Sequence, residues 1–179
     1  LSDLLAQPGE AFRVWDKRKL PQWSPATFQP PRRKKANAQG ASCLVLDYDD
    51  GTTIDQALQS WGQWALILHT SWSHRPEHHK FRVVLPLDQD LRKEEYPAAW
   101  RWAEEHCGRT IDRHCKDISR SWVLPACDLE DPAHQQYFES RIVRAPLLRV
   151  DDIMKWAPED NVVPIRPALL LHSVPVPGD

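Results

Sequence analysis

No apolar run in this sequence approaches the roughly 20 residues needed to cross a bilayer, and no signal-peptide pattern opens it. The expectation is an intracellular, cytoplasmic protein without membrane contact. Paired C-x-x-C spacing is missing too. The four cysteines, Cys43, Cys107, Cys115 and Cys127, stand apart, which argues against a secreted disulfide scaffold and for reduced thiols. There is no surplus of positive charge. The formal net charge is −2 and the pI is near 6.5, whereas proteins that track phosphate usually carry a clear excess of Lys and Arg. Internal repeats are also lacking.

What is present is enough for one packed domain. A chain of 179 residues can build a real core but is short for two domains. Its 41% hydrophobic and 27% charged residues are ordinary for a globular protein, while nine Trp and sixteen Pro are many. The prolines crowd into 21–31 and 158–177, so the chain divides into a Pro-rich, basic N-terminal arm over 1–39, a core over 40–157 and a Pro-rich tail or linker over 158–179. It begins at Leu1 without Met, and a piece of a larger protein is the expectation. Charge is segregated. Arg32-Arg33-Lys34-Lys35 and the stretch from Arg75 to Arg82 are basic, and acidic residues collect around 47–55 and 151–160, a pattern that allows a basic groove beside an acidic site.

Cys43-Leu44-Val45-Leu46 is apolar and runs into Asp47-Tyr48-Asp49-Asp50 before Gly51. It reads as a buried strand ending in carboxylates. Thr52 or Thr53 then caps a helix to about Trp61, with Ile54, Ala57, Leu58 and Trp61 on one face. Trp64 to Leu68 and Phe81 to Leu85 read as two further strands, joined by the polar segment Thr70 to Lys80 as a hairpin. A helix is expected over 91–107, or from Pro97 onward, with Gly108 as its stop. Trp122 to Leu124 makes a short strand and Val150 to Trp156 a last helix. Strands and helices in this irregular alternation predict an α+β domain with a mixed or antiparallel sheet.

Alternation along a strand puts Asp47 and Asp49 on one face and Tyr48 on the other. Their Cα atoms would lie about 7 Å apart, close enough for two carboxylates to share a divalent cation. Such a cation would relieve the desolvation and mutual repulsion of carboxylates at the end of a buried strand. The pair alone leaves open a solvated turn or a helix cap. Asp112, after Ile111 and before the Trp122 strand, adds a third carboxylate of the kind that two-metal phosphoryl chemistry uses, unless it caps a turn after Gly108. Between the strands, Ser71-Trp72-Ser73-His74-Arg75-Pro76-Glu77-His78-His79-Lys80-Phe81-Arg82 concentrates donors. Lys80 and Arg82 share a strand face there, where both could reach phosphates; a solvated hairpin tip is the plain alternative.

Together these pieces resemble the archaeo-eukaryotic primase superfamily, in particular the primase-polymerase domains of plasmids, phages and other mobile elements. The apolar strand ending in Asp-x-Asp is Leu44 to Asp49. The Ser/His-bearing strand pair is matched by His69 to His74 and Lys80 to Pro86, and the apolar-Asp element by Ile111-Asp112 through Arg120 to Leu124-Pro125. The likeness covers roughly 40–128. It departs at the family's Ser-x-His, since Ser73-His74 comes early and His78-His79-Lys80 stands where that His belongs. The resemblance implies a palm like an RNA-recognition motif and a metal-dependent nucleotidyl transferase that makes or extends primers on single-stranded DNA. It implies Mg²⁺ or Mn²⁺ held by Asp47, Asp49 and Asp112, nucleoside triphosphates bound by His74, His79, Lys80, Arg82 and Arg120, and a helicase domain or protein as partner.

Other readings compete. Leu46 to Thr52 is similar to the Asp-x-Asp-Gly-Thr of haloacid-dehalogenase-type phosphatases, but Asp50 is one residue too many, and an EF-hand loop fails because Gly51 comes one position early. His78-His79 is a poor His-x-His metal site because neighbours on a strand face opposite ways. Zinc on Cys107, His114, Cys115 and Cys127 lacks a tight ligand pair. A non-catalytic single-stranded nucleic-acid-binding module, using Trp and the Arg32–Lys35 run, would bind without metal.

Overall fold

A computed structural model describes residues 16–126, 131 and 136–156. In chain order its main elements are β1 (Gln22–Trp23), β2 (Ala26–Phe28), β3 (Ala38–Tyr48), α1 (Ile54–Trp61), β4 (Leu66–Thr70), β5 (Phe81–Arg92), α2 (Tyr96–His106), β6 (Trp122–Val123), β7 (Ser140–Val143) and α3 (Val150–Trp156). Cys43 to Leu46 are all buried. Both faces of that stretch are covered, which is why its sequence is continuously apolar instead of alternating.

One sheet has the order β2-β3-β5-β4-β7, with every neighbouring pair antiparallel. Since β3 and β4 both oppose β5, they run parallel to each other. The β3-α1-β4 crossover thus leaves a slot that β5 fills by folding back in a hairpin, a split β-α-β arrangement. This is the antiparallel α+β architecture that the strand and helix order predicts. The start of α1 is fixed by a reciprocal pair: Thr53 Oγ1 accepts the Gln56 N–H at 3.2 Å, and Gln56 Oε1 accepts the Thr53 N–H at 2.8 Å. Ile54, Ala57 and Trp61 point into the core. Trp61 Nε1–H donates to the buried Tyr48 hydroxyl at 2.7 Å, and Tyr48 stacks on Phe81 with ring centroids 4.8 Å apart. Tyr48 is thereby anchored toward the helices, which turns its neighbours Asp47 and Asp49 to the opposite side of the sheet.

Several boundaries differ from the sequence reading. β5 continues through Pro86 to Arg92. β4 pairs only with Phe81 to Val84, so beyond Val84 β5 keeps β3 as its strand neighbour on one side only, and proline is tolerated where the ladder is already one-sided. The long β5 consumes Leu91 and Arg92, and α2 starts at Tyr96 with Pro97 in its first turn. Gly40 lies at the same irregularity; a Cβ there would sit 2.4 Å from the Leu91 carbonyl oxygen. Trp122–Val123 pairs with Gln22–Trp23 in a separate two-stranded sheet, and Ala26–Phe28 hydrogen-bonds onto β3. Residues 22–28, read from sequence as part of an arm, therefore supply two strands. β7 went unread because its residues alternate poorly; Ile142, opposite Ile67 at the sheet edge, is 47% exposed.

Candidate active site

The register of the sheet sets the site. Asp47 lies opposite Arg82, Arg82 opposite His69, and His69 opposite Ser140, so one row across four strands carries a carboxylate, a guanidinium and an imidazole on the same face. Arg82 Nε is 3.0 Å from Asp47 Oδ1, with side chains only 10% and 20% exposed. The Arg82 guanidinium also donates to the Val123 carbonyl at 3.2 Å and lies over the Trp122 ring, 5.2 Å from its centroid. One step along, Lys80 Nζ lies 3.2 Å from Asp49 Oδ2 and His78 Nε2 lies 3.9 Å from Asp49 Oδ1. Here Asp49 is 55% exposed, so this pair is screened and weakly stabilising, while the Asp47–Arg82 pair is held out of water.

Asp112 reaches the site through the backbone. β2 covers only the Ala38–Ala41 end of β3, which leaves the β3 edge at Asp47 free, and the Asp112 N–H donates to the Asp47 carbonyl at 2.9 Å. Asp112 also caps a 3₁₀ turn at Arg113–Cys115, accepting from the His114 N–H at 2.9 Å. Asp112 thus makes the turn cap that was the plain alternative for it. Its Oδ1 lies 2.9 Å from His114 Nδ1, and its Oδ2 accepts from the Cys115 thiol at 3.3 Å. Ligand atoms of Asp47, Asp112 and Cys115 all lie within 4.8 Å of one another. Among the described residues no other group of three metal-ligating side chains is drawn together.

The charges in this cluster are under tension. Burial pushes the Asp47 carboxyl above the ordinary carboxylate range, Arg82 opposes this, and the nearby Asp112 pushes in the same direction as burial. Burial also acts to raise Asp112, but it is outweighed by the hydrogen bonds from His114 and Cys115, which leave its carboxyl lowered and ionised. The Cys115 thiol is pushed up to about 12 by burial and by Asp47. A divalent cation would satisfy both carboxylates, and hard oxygen donors suit Mg²⁺ or Mn²⁺. Asp49 stands outside the three-residue cluster. It shares with Asp112, His114 and Arg109 the lining of an adjoining cavity of about 350 Å³.

Of the expected nucleotide contacts, Lys80 and Arg82 are brought to the carboxylates. His74 is buried, its Nδ1 accepting the Lys80 N–H at 3.1 Å and its ring meeting His79 edge-on at 5.4 Å. It braces the hairpin that delivers Lys80. Arg120 donates to the His114 carbonyl at 3.2 Å and lies 5.5 Å from the Trp122 centroid. Of the residues weighed for zinc, Cys107, His114 and Cys115 are not drawn together among the described residues: Cys107 donates to the Glu104 carbonyl at the end of α2 and His114 pairs with Asp112, while Cys127 lies outside the described residues. Sequence reasoning overlooked Cys115 and His114 as neighbours of the acidic pair. The signal for them was Asp112-Arg113-His114-Cys115 itself, since the fourth residue of a tight turn returns over the first.

The fold is of the archaeo-eukaryotic primase type. It is similar to the structure described as the cyanophage S-2L primase-polymerase (PrimPol), AEP domain, with a TM-score of 0.51 at 13% identity, covering 70% of this chain and 65% of that one. No curated protein matches the chain. The family described as the VapE N-terminal domain matches residues 24–157, and the chain belongs to that family. Among the described residues no helix is long and apolar enough to cross a membrane.

Proposed function

We propose that this domain is a metal-dependent nucleotidyl transferase, a DNA primase or primase-polymerase that makes or extends primers on a single-stranded DNA template. The observation that carries the reading is the backbone docking of Asp112 onto Asp47, which sets two carboxylates of distant sequence position face to face on a primase-type sheet. Asp47 and Asp112 would hold Mg²⁺ or Mn²⁺, with Asp49 at the mouth of the adjoining cavity. Bound there, the ions would activate a primer 3′-hydroxyl and offset charge on the departing pyrophosphate. Arg82, clamped by Asp47, Val123 and Trp122, opposes the effect of burial on the Asp47 carboxyl and aims it. Lys80 binds Asp49 through one exposed contact and exchanges it for a triphosphate oxygen at little cost. Arg120 and His79 would be further phosphate contacts, and His74, whose Nδ1 accepts the Lys80 N–H, would hold Lys80 in place for its own.

The likeness to a primase-polymerase fold supports this reading over a haloacid-dehalogenase-type phosphatase. Asp50, the surplus residue in that motif, is occupied with the turn, its Oδ1 accepting the Thr52 N–H at 3.0 Å. The setting would be cytoplasmic DNA replication, with a helicase as the natural partner. The test is nucleotide incorporation on primed and unprimed single-stranded templates with Mn²⁺ or Mg²⁺. Incorporation is expected, and Asp47→Asn or Asp112→Asn should abolish it. No incorporation by the intact chain, with wild type and Asp47→Asn binding DNA alike, would overturn it in favour of the binding module.

A further inference from the structure

We propose that the groove of about 880 Å³ between α2, α3 and the Arg113–Cys115 turn is the track for a single strand of DNA leading to the acidic site. The inference rests on the reading above for its direction, but the groove stands on its own observations.

Its walls carry Lys35, Arg101, Arg109, Arg113 and Lys116, against only two carboxylates, Glu104 and Glu105. A chain of net charge −2 has thus gathered a local excess of three positive charges in one groove. Two of the cations are fixed: Arg109 Nη2 lies 2.7 Å from Glu105 Oε1 and Arg113 Nε lies 2.7 Å from Glu104 Oε1. Lys35, Arg101 and Lys116 are exposed and form no ion pair among the described residues. Lys35, the last residue of the basic run that begins at Arg32, is the member of that run that lines this groove. Arg33 donates to the Ser119 carbonyl at 3.2 Å, and Lys93 to the Ala36 carbonyl at 3.1 Å, so the run is folded against the loop that carries Lys116.

An aromatic face completes the groove. Trp156, at the end of α3, lines it and is 42% exposed, which suits stacking of an unpaired base among phosphate-binding cations. The groove also has a destination. Arg109 lines both this groove and the cavity of Asp49 and Asp112, and it is held at that junction by an unusual backbone: its φ is +67°, directly after Gly108 at +67°. A non-glycine residue in the left-handed region is strained, and here it places a guanidinium where groove and acidic cavity meet. Neutral or basic ligands have no use for this cation excess, and a duplex would not offer an unpaired base to Trp156.

The test compares the full chain with the triple variant Lys35→Glu, Arg101→Glu, Lys116→Glu, using fluorescence anisotropy of a labelled oligothymidylate across a salt series. Losing three phosphate contacts should weaken binding at least about tenfold at moderate salt and flatten the log–log salt slope by about 2. Acetylation of Lys35 and Lys116 in the wild type gives a second readout that needs no variant to fold: the oligonucleotide should protect both. Unchanged affinity and slope in a folded triple variant, or equal acetylation with and without the oligonucleotide, overturns the groove. Lack of incorporation alongside groove-dependent binding would instead overturn the catalytic reading and leave the groove standing.

Discussion

Replacing His69 by Phe should make the protein markedly less sensitive to acid. His69 is fully buried in the row between Arg82 and Ser140. Its Nδ1 donates to the Thr70 carbonyl at 3.0 Å, and its Nε2 is buried without a hydrogen-bond partner. A proton on Nε2 would be desolvated and would face the Arg82 guanidinium, so burial first and Arg82 second depress this imidazole from the ordinary 6.5 to about 3. The sign follows from proton counting: between these values the unfolded chain binds a proton that the native state refuses. The stabilisation is therefore complete above pH 6.5 and is lost as pH falls toward 3, at about 1.4 kcal/mol per pH unit. By pH 4.5 the loss should be about 3 kcal/mol, a large part of the 5–15 kcal/mol typical of a domain. Urea unfolding followed by tryptophan fluorescence at pH 7.5, 6.5, 5.5 and 4.5 measures it. The difference in stability between His69→Phe and wild type should be near constant above 6.5 and then move in favour of the variant at that slope, because the other titrating groups are common to both. Parallel pH profiles, within about 0.5 kcal/mol over the whole range, would refute the buried neutral imidazole.

Three further outcomes are expected. Arg82→Ala leaves Asp47 desolvated beside Asp112 and should cost about 3–5 kcal/mol, whereas Lys80→Ala, at an exposed pair, should cost under about 1 kcal/mol; denaturant titration separates them. Mg²⁺ or Mn²⁺ should raise the melting temperature at pH 7, by about 2.7 kcal/mol of stability at a hundredfold excess over Kd. Because the raised Asp47 carboxyl takes up a proton as pH falls toward the ordinary carboxylate range, that gain should shrink at low pH, and Asp112→Asn should remove it; scanning calorimetry with and without metal checks both. Thr53→Ala breaks the capping box of α1 and should lower stability by about 1 kcal/mol, seen as a reduced urea midpoint.

Much of the fold was legible in the sequence because it depends on local chemistry. The apolar run Cys43 to Leu46, the Thr53 cap, Pro97 in the first turn of α2 and the hairpin before Phe81 each state their own conformation. The same holds for the common face of Asp47 and Asp49, which follows from strand alternation. Elements whose existence depends on a partner were not legible. Gln22–Trp23 and Ala26–Phe28 are strands because Trp122–Val123 and β3 offer them backbone partners, and β7 exists as an edge for β4.

The candidate site divides along the same line. The sequence by itself determined which residues carry charge and which face of β3 the carboxylates share, because both are properties of the chain within a few residues. Only the tertiary structure decided that Asp112 hydrogen-bonds to Asp47, that Arg82 and Lys80 face those carboxylates across the strand pair, and that Cys115 closes the cluster. Those are distances between segments tens of residues apart. They are set by strand register and by the free edge of β3, which no local propensity encodes.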